Sequence, residues 1–240
     1  NMIAENTSLL ASSRKIVLES NIKAEEAWNY GLNITKEFLL TETLKASLGA
    51  DFYHTAFVNQ VVVDLDRNPQ QVIFYNLNGR SYSNSLQIDG MIQPFQGFEI
   101  TLAGRYNDVK RTIDGHLRQV PYVSKFKGLL TLSYATKFEK WRFDVTGQIN
   151  GKSRLPDAGS NPEPYRWDSY SREYFLLSAQ ITRKLKFIDL YLGGENLTNF
   201  MQHHPIVSAD NPFGQYFDAS MIWGPLMGVS VYAGLRLTIK

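Results

Sequence analysis

The stretch VSVYAGLRLTIK (residues 229–240) sets Val229, Val231, Ala233, Leu235, Leu237 and Ile239 against Ser230, Tyr232, Gly234, Arg236, Thr238 and Lys240. Side chains alternate faces along a strand, so an extended chain here has one apolar face and one polar face. The fold turns on which of the two meets water.

The same two-faced pattern recurs along the chain. In WRFDVTGQINGK (141–152), Trp141, Phe143, Val145, Gly147 and Ile149 oppose Arg142, Asp144, Thr146, Gln148, Asn150 and Lys152. In FEITLAGRY (98–106), Phe98, Ile100, Leu102 and Tyr106 oppose Glu99, Thr101, Ala103 and Arg105. Alternation also runs through 28–34, 44–52, 86–92, 126–134, 175–181 and 188–192. This reading gives about nine strands, and no segment sustains a helical period.

The links alternate in length. Short ones fall near 39–43, 94–97, 138–141 and 184–188, and long ones near 64–71, 113–123, 155–172 and 199–228. Tight turns at one end and long loops at the other are the habit of outer-membrane barrels, whereas Greek-key sandwiches mix both ends. Two segments alternate for about twelve residues, and a tilted strand crosses a bilayer in roughly 9–11. Aromatics gather at the strand ends: Phe38, Phe95, Phe98, Phe138, Trp141 and Phe187 beside short turns, and Trp28, Tyr30, Tyr106 and Tyr174 toward the long loops. Two such girdles suit two membrane interfaces. The apolar faces are therefore expected to look into lipid. The polar faces, with Arg105, Arg142, Asp144, Glu195 and Arg236, are expected to line a wet or plugged lumen.

Composition agrees. Charged residues make up 20% of the chain but the net charge is only +2, and no Lys/Arg cluster marks a phosphate track, so no nucleic-acid partner is expected. The absence of cysteine excludes a disulfide scaffold and a Cys-based zinc site. No run reaches the roughly 18 apolar residues of a membrane-spanning helix, which leaves a β-barrel open. The opening NMIAENTSLL (1–10) lacks the basic start and apolar core of a signal peptide.

Five segments in order, EEAWNYGLN (25–33), NQVVVDLDRNPQQVIFYNLNGRSYSNSLQ (59–87), GGENLTNF (193–200), ADNPFGQYFDASMIWGPLMG (209–228) and VYAGLRLTIK (231–240), resemble the barrel end of a TonB-dependent outer-membrane receptor. The flavour is that of Bacteroidetes cobalamin, siderophore and haem receptors. The resemblance implies an all-β fold in which residues 1–240 form an antiparallel meander, the C-terminal part of a 22-stranded barrel without its plug. It implies as partners the N-terminal plug and remaining strands, the TonB energising complex, outer-membrane lipid of a Gram-negative cell and a small nutrient. It implies no cofactor. The long links 64–71, 113–123, 155–172 and 199–228 would then be extracellular.

No G-x-S-x-G, Walker A or H-E-x-x-H motif is present, so no catalytic residue and no metal site is expected. The segment PEPYRWDSYSREY (162–174) brings Arg166, Trp167, Tyr170 and Arg172 together. Arginine beside aromatic platforms suits an anionic or planar ligand, and equally suits loop packing. His203 and His204 are candidates for haem iron or a metal, although neighbours on an extended chain point opposite ways. Phe213 and Trp223, with Asp210, Asn211 and Tyr216, share the same two readings. The reading favoured is uptake of a scarce nutrient such as an iron–siderophore, cobalamin or haem, without enzymatic catalysis. The rival is a soluble β-rich ligand- or glycan-binding domain.

Overall fold

The computed structural model describes residues 5–39, 41 and 44–238. Its strands are β1 (Lys15–Leu18), β2 (Glu26–Leu39), β3 (Lys45–Asn59), β4 (Val61–Asp64), β5 (Gln71–Asn76), β6 (Ser81–Phe95), β7 (Phe98–Ile113), β8 (His116–Gln119), β9 (Phe126–Ala135), β10 (Trp141–Asn150), β11 (Tyr174–Lys184), β12 (Ile188–Glu195) and β13 (Ser230–Leu237). The large sheet runs β13-β12-β11-β10-β9-β7-β6-β3-β2, with β8 paired to β7. Every neighbour on that path is antiparallel. The nine strands expected from alternation are the nine strands of this meander. Its short links, 96–97, 136–140 and 185–187, lie at one end, and the long links lie at the other. The first expected short link, near 39–43, falls largely outside the described residues, as does the end of the closing strand at Ile239 and Lys240.

Register places the two side-chain patterns on opposite faces across the sheet. One row joins Val231, Gly194, Ala179, Val145, Leu132, Ile100, Ile92, Ala46 and Phe38 through cross-strand pairs. The rows beside it hold Leu177, Gly147, Leu130, Leu102, Gly90 and Leu48, and then Phe175, Ile149, Gly128, Gly104, Ile88 and Ala50. On β7 this apolar face runs from Phe98 to Tyr106. At ~3.4 Å per residue and a strand tilt near 40°, that spans about 20 Å, close to the apolar band of outer-membrane barrels. Lys36 interrupts it on β2, and its ammonium lies 5.3 Å from the Phe38 ring, toward the short-link end. Toward the long links the same face turns polar at Asp108, Asn84, His54 and Tyr30. There the Tyr82 hydroxyl donates to Asp108 at 3.0 Å.

Two expectations change. Tyr174 stands on the polar face opposite Asn150, and Phe175 takes the outward place beside Ile149. The 141–152 alternation is cut at Asn150, because Gly151 turns its N–H to the Phe126 carbonyl and Ser153 bridges Ser124.

Glycines opposite tyrosines make room for rings on the polar face. Tyr191 lies against Gly234 and Tyr232 against Gly193 on the paired strands, so a Cβ at either glycine would collide with the ring. The two rings meet edge-on at 6.3 Å, which fixes the β12–β13 register.

Apart from Ile113 at the end of β7, the buried core lies outside the large sheet. Val62, Leu65, Val72, Phe74, Tyr75, Leu155, Ala158 and Met221 all lie within the long links. There β4, β5 and β1 form a second sheet, with β5 parallel to β1 and antiparallel to β4. Leu65, Val72 and Phe74 form its core, covered by Leu9, Ile22, Val63 and Tyr122. The 64–71 link is thus the hairpin turn of this small sheet, and 113–123 carries β8.

Register generates a paired test. Leu130→Arg sets a guanidinium in the middle of the apolar face and is expected to cost about 2–4 kcal/mol if that face meets hydrocarbon. Thr131→Arg, one residue on and on the polar face, is expected to leave the folded fraction unchanged. Heat-modifiable gel mobility of outer-membrane preparations reads both, and equal losses would contradict the facing.

Candidate ligand-binding site

The links 151–173 and 196–229 enclose a cavity of about 790 Å³. Its wall holds Arg166, Trp167, Tyr170, Arg172, His203, His204 and Trp223, together with Asp168, Asp210 and Gln202. Seven of the eight loop candidates therefore meet at one place. Phe213 does not; it is 99% exposed, apart from the cavity.

The wall residues divide by what already holds them. The Trp167 indole N–H donates to the Pro156 carbonyl at 2.7 Å, and Arg166 Nε donates to the Asn161 carbonyl at 2.7 Å. Buried Asn161 donates to the Tyr165 carbonyl and accepts from Gln70. These bonds shape the turn that starts at Pro162. Gln202, a residue with no sequence signal, shapes the other side. Its amide donates to the Met221 carbonyl at 2.7 Å, and its oxygen accepts the Trp223 and Gly224 N–H groups. Phe200 stacks on Tyr174 at 4.8 Å, with Trp223 6.2 Å from each ring. Tyr165 and Tyr216 stack at 4.5 Å and join the two links. Asn211 accepts the Gly214 N–H in a turn, as the Asn-Pro pair suggests. By contrast, Arg172, His203, His204, Asp168 and Asp210 have no hydrogen-bond or ion-pair partner among the described residues. The cavity thus presents unspent charge between aromatic walls.

Beneath it lies a buried ionic framework. Asp66, its side chain 2% exposed, accepts both Arg154 Nη groups at 2.7 Å and the Asp157 N–H at 3.0 Å, with Arg111 at 3.9 Å. Asp64 caps its own turn by accepting from the Asp66 and Arg67 N–H groups, and it takes the Tyr75 hydroxyl at 3.0 Å. Burial first, and then the Asp64 carboxylate, push the Tyr75 phenol up to about 12. Burial likewise raises the Tyr122 phenol, whose hydroxyl meets Met221 Sδ at 3.0 Å. Arg14 pairs with Asp218 at 2.7 Å and donates to the Pro69 carbonyl at 3.0 Å. Sequence reading missed these residues, because partners tens to hundreds of positions apart leave no local pattern. Among the described residues no group of three or more His, Asp or Glu gathers to hold a metal.

Residues 6–197 match the family model described as TonB dependent receptor-like, beta-barrel. The chain belongs to the TonB-dependent receptor family. No curated protein matches its sequence. Among solved structures, a mutant of the ferric enterobactin receptor PfeA from Pseudomonas aeruginosa aligns with TM-score 0.61 and 18% identity over 91% of this chain and 32% of that one. The copper transporter OprC aligns with TM-score 0.60 and 14% identity over 90% and 31%. The FrpB iron transporter from Neisseria meningitidis aligns with TM-score 0.54 and 12% identity over 92% and 32%. The chain spans about a third of these structures.

Within this TonB-dependent receptor barrel segment, Arg105, Arg142, Asp144, Glu195 and Arg236 all stand on the polar face of the sheet. Arg105 donates twice to Gln87 Oε1, and Asp144 accepts from Arg142 and from Ser133. Arg236 sits opposite Asp189. The face mixes both signs: Arg142 pairs with Asp144, while Glu195 and Arg236 have no side-chain partner among the described residues.

Asp66→Leu removes the shared partner of Arg154 and Arg111 and is expected to cost the loop layer about 3–5 kcal/mol, the usual consequence of stranding a buried charge. Limited proteolysis should then cut within 151–173 while the strands stay protected. Uncut loops would show the framework to be dispensable.

Proposed function

We propose that the protein is the C-terminal part of a nutrient transporter in the outer membrane of a Gram-negative cell of the Bacteroidetes. In this reading the apolar face meets lipid, the short turns face the periplasm and the long links face outward. The polar face lines a lumen filled by the N-terminal plug, and the remaining strands close the barrel. The TonB complex acts through the plug, and passage of the nutrient involves no enzymatic catalysis. A soluble binding domain is disfavoured because nothing among the described residues covers the apolar rows of nine strands.

The cavity between the last two long links carries the reading. Its volume lies in the range of small-ligand sites. Unpaired Arg172 with Trp167, Tyr170 and Trp223 suits an anionic chelate bearing planar groups, which favours an iron–siderophore over cobalamin. Haem would draw on His203 or His204. The similar structures of receptors and transporters for ferric enterobactin, ferric citrate, iron and copper support a metal-bearing cargo.

Titration of the purified full receptor with ferric siderophores, read by tryptophan quenching, tests this. Arg172→Ala is expected to weaken binding about tenfold, the worth of one charge-assisted hydrogen bond, with no loss of folded protein. Trp167→Phe, which also breaks the bond to Pro156, is expected to lower affinity and loosen the loop together. Unchanged affinity in Arg172→Ala, His203→Ala and Trp223→Ala alike would remove the cavity from the binding path.

A further inference from the structure

The two short turns 136–140 and 185–187 lie side by side. The Lys184 N–H donates to the Lys140 carbonyl at 2.9 Å, so the turns form one surface. That surface is apolar and cationic at once. Phe138 is 90% exposed, Phe187 56% and Leu185 50%, although each sits in a turn beyond the strands. Bulky apolar residues at turn tips are unfavourable in water and favourable at a bilayer boundary. Among them stand Lys137, Lys140, Arg183 and Lys186, which have no carboxylate partner among the described residues. Of the nearby acids, Glu139 is already taken by Lys184, whose ammonium holds its carboxyl below the usual range, and Asp189 stands on the polar face of the sheet, opposite Lys184 and Arg236.

Two of these cations are seated on aromatic rings. Arg183 lies opposite Trp141 and Leu190, in the row next to Phe143, Ile181 and Leu192 where the apolar face ends. Its guanidinium sits 4.6 Å from the Trp141 ring, and the Lys186 ammonium sits 5.1 Å from the Phe187 ring. A cation seated on an aromatic at the end of an apolar face is held at headgroup level, with its remaining donors pointing into the polar layer.

We propose that this joined turn surface binds the headgroup of an anionic phospholipid in the leaflet at the short-turn end. The inference rests on the reading that the apolar face meets lipid. Arg183 and Lys186 hold the phosphate, Lys140 and Lys137 extend the positive field, and the acyl chains lie along Leu190, Ile181 and Phe143. The charge balance selects the occupant: four unpaired cations, with Glu139 already paired and Asp189 on the opposite face of the sheet, favour a lipid with net negative charge over a zwitterionic one.

The full receptor is inserted into phosphatidylcholine nanodiscs containing a minor fraction of phosphatidylglycerol. It is then extracted gently, and the co-purifying lipids are weighed by mass spectrometry. Wild type is expected to retain phosphatidylglycerol above its share in the disc. Each neutralised cation should lower that enrichment up to about fivefold, and Lys140→Gln/Arg183→Gln/Lys186→Gln together should abolish it. Lys186→Gln alone, in an exposed turn, guards against misfolding of the triple variant. Glu139→Gln frees Lys184 and should raise the enrichment, an effect that general damage to the turn would not produce. No enrichment in wild type, or equal enrichment in all variants, overturns the proposal. A receptor that binds ferric siderophore in the same discs without lipid selectivity overturns this inference alone. One that does not enter the discs overturns the membrane reading and the inference with it.

Discussion

Arg154 reaches Asp66 with both terminal nitrogens of its guanidinium while both side chains are nearly shut off from water. Removing two such charges from solvent costs several kcal/mol each, and only good geometry with further hydrogen bonds offsets it. Here the offset is spread over several elements: Arg111 from β7, the Asp157 amide from the following link, and the turn around Asp64 and Arg67 from the small sheet. The pair is of little use unless all of those segments arrive together. It therefore acts as a specification, joining links that would otherwise be separate loops into one layer with its own core. The cavity is a property of that layer, since Leu155 and Met221, which line it, also belong to the buried set.

The sheet below works by a different rule. Its strands bury almost nothing, and its order is held by backbone pairing and by shape matches such as Tyr191 against Gly234. Its apolar rows are an unspent surface that gains stability only when hydrocarbon replaces water. One chain thus carries two packing regimes, a frame with an uncovered apolar face and a loop layer packed like a small aqueous domain. A substitution that harms one need not harm the other, and this lets ligand contacts vary over a constant frame.

Much of the frame is legible because alternation with period two leaves a plain trace wherever one face is apolar and the other polar. The small sheet leaves no such trace. VVVD at 61–64 and QVIF at 71–74 are continuous apolar runs, the mark of strands covered on both faces, and KIVL at 15–18 is too short to stand out. Tyr174 is misplaced by one step of parity, since the neighbouring Phe175 is an equally good girdle residue. Arginines, tryptophans and histidines in proline-bearing links point to the cavity, and all but Phe213 line it. Gln202 gives no warning, because what matters is its burial against the backbone of the last link, and burial at that site is decided by tertiary packing.

Each strand of the meander pairs with its predecessor along the path, so the sheet can grow through contacts that are close in sequence. The loop layer is different. Ser13 donates to the Gly214 carbonyl, 201 positions away in sequence, and Ala11 and Ser12 pair with Ala219 and Asp218. Closing so long a span costs entropy that is repaid only once both ends are in place. In order of assembly, residues 11–13 must wait for the last link to be threaded before they gain these partners. The loop layer is therefore the final part of this chain to acquire its shape.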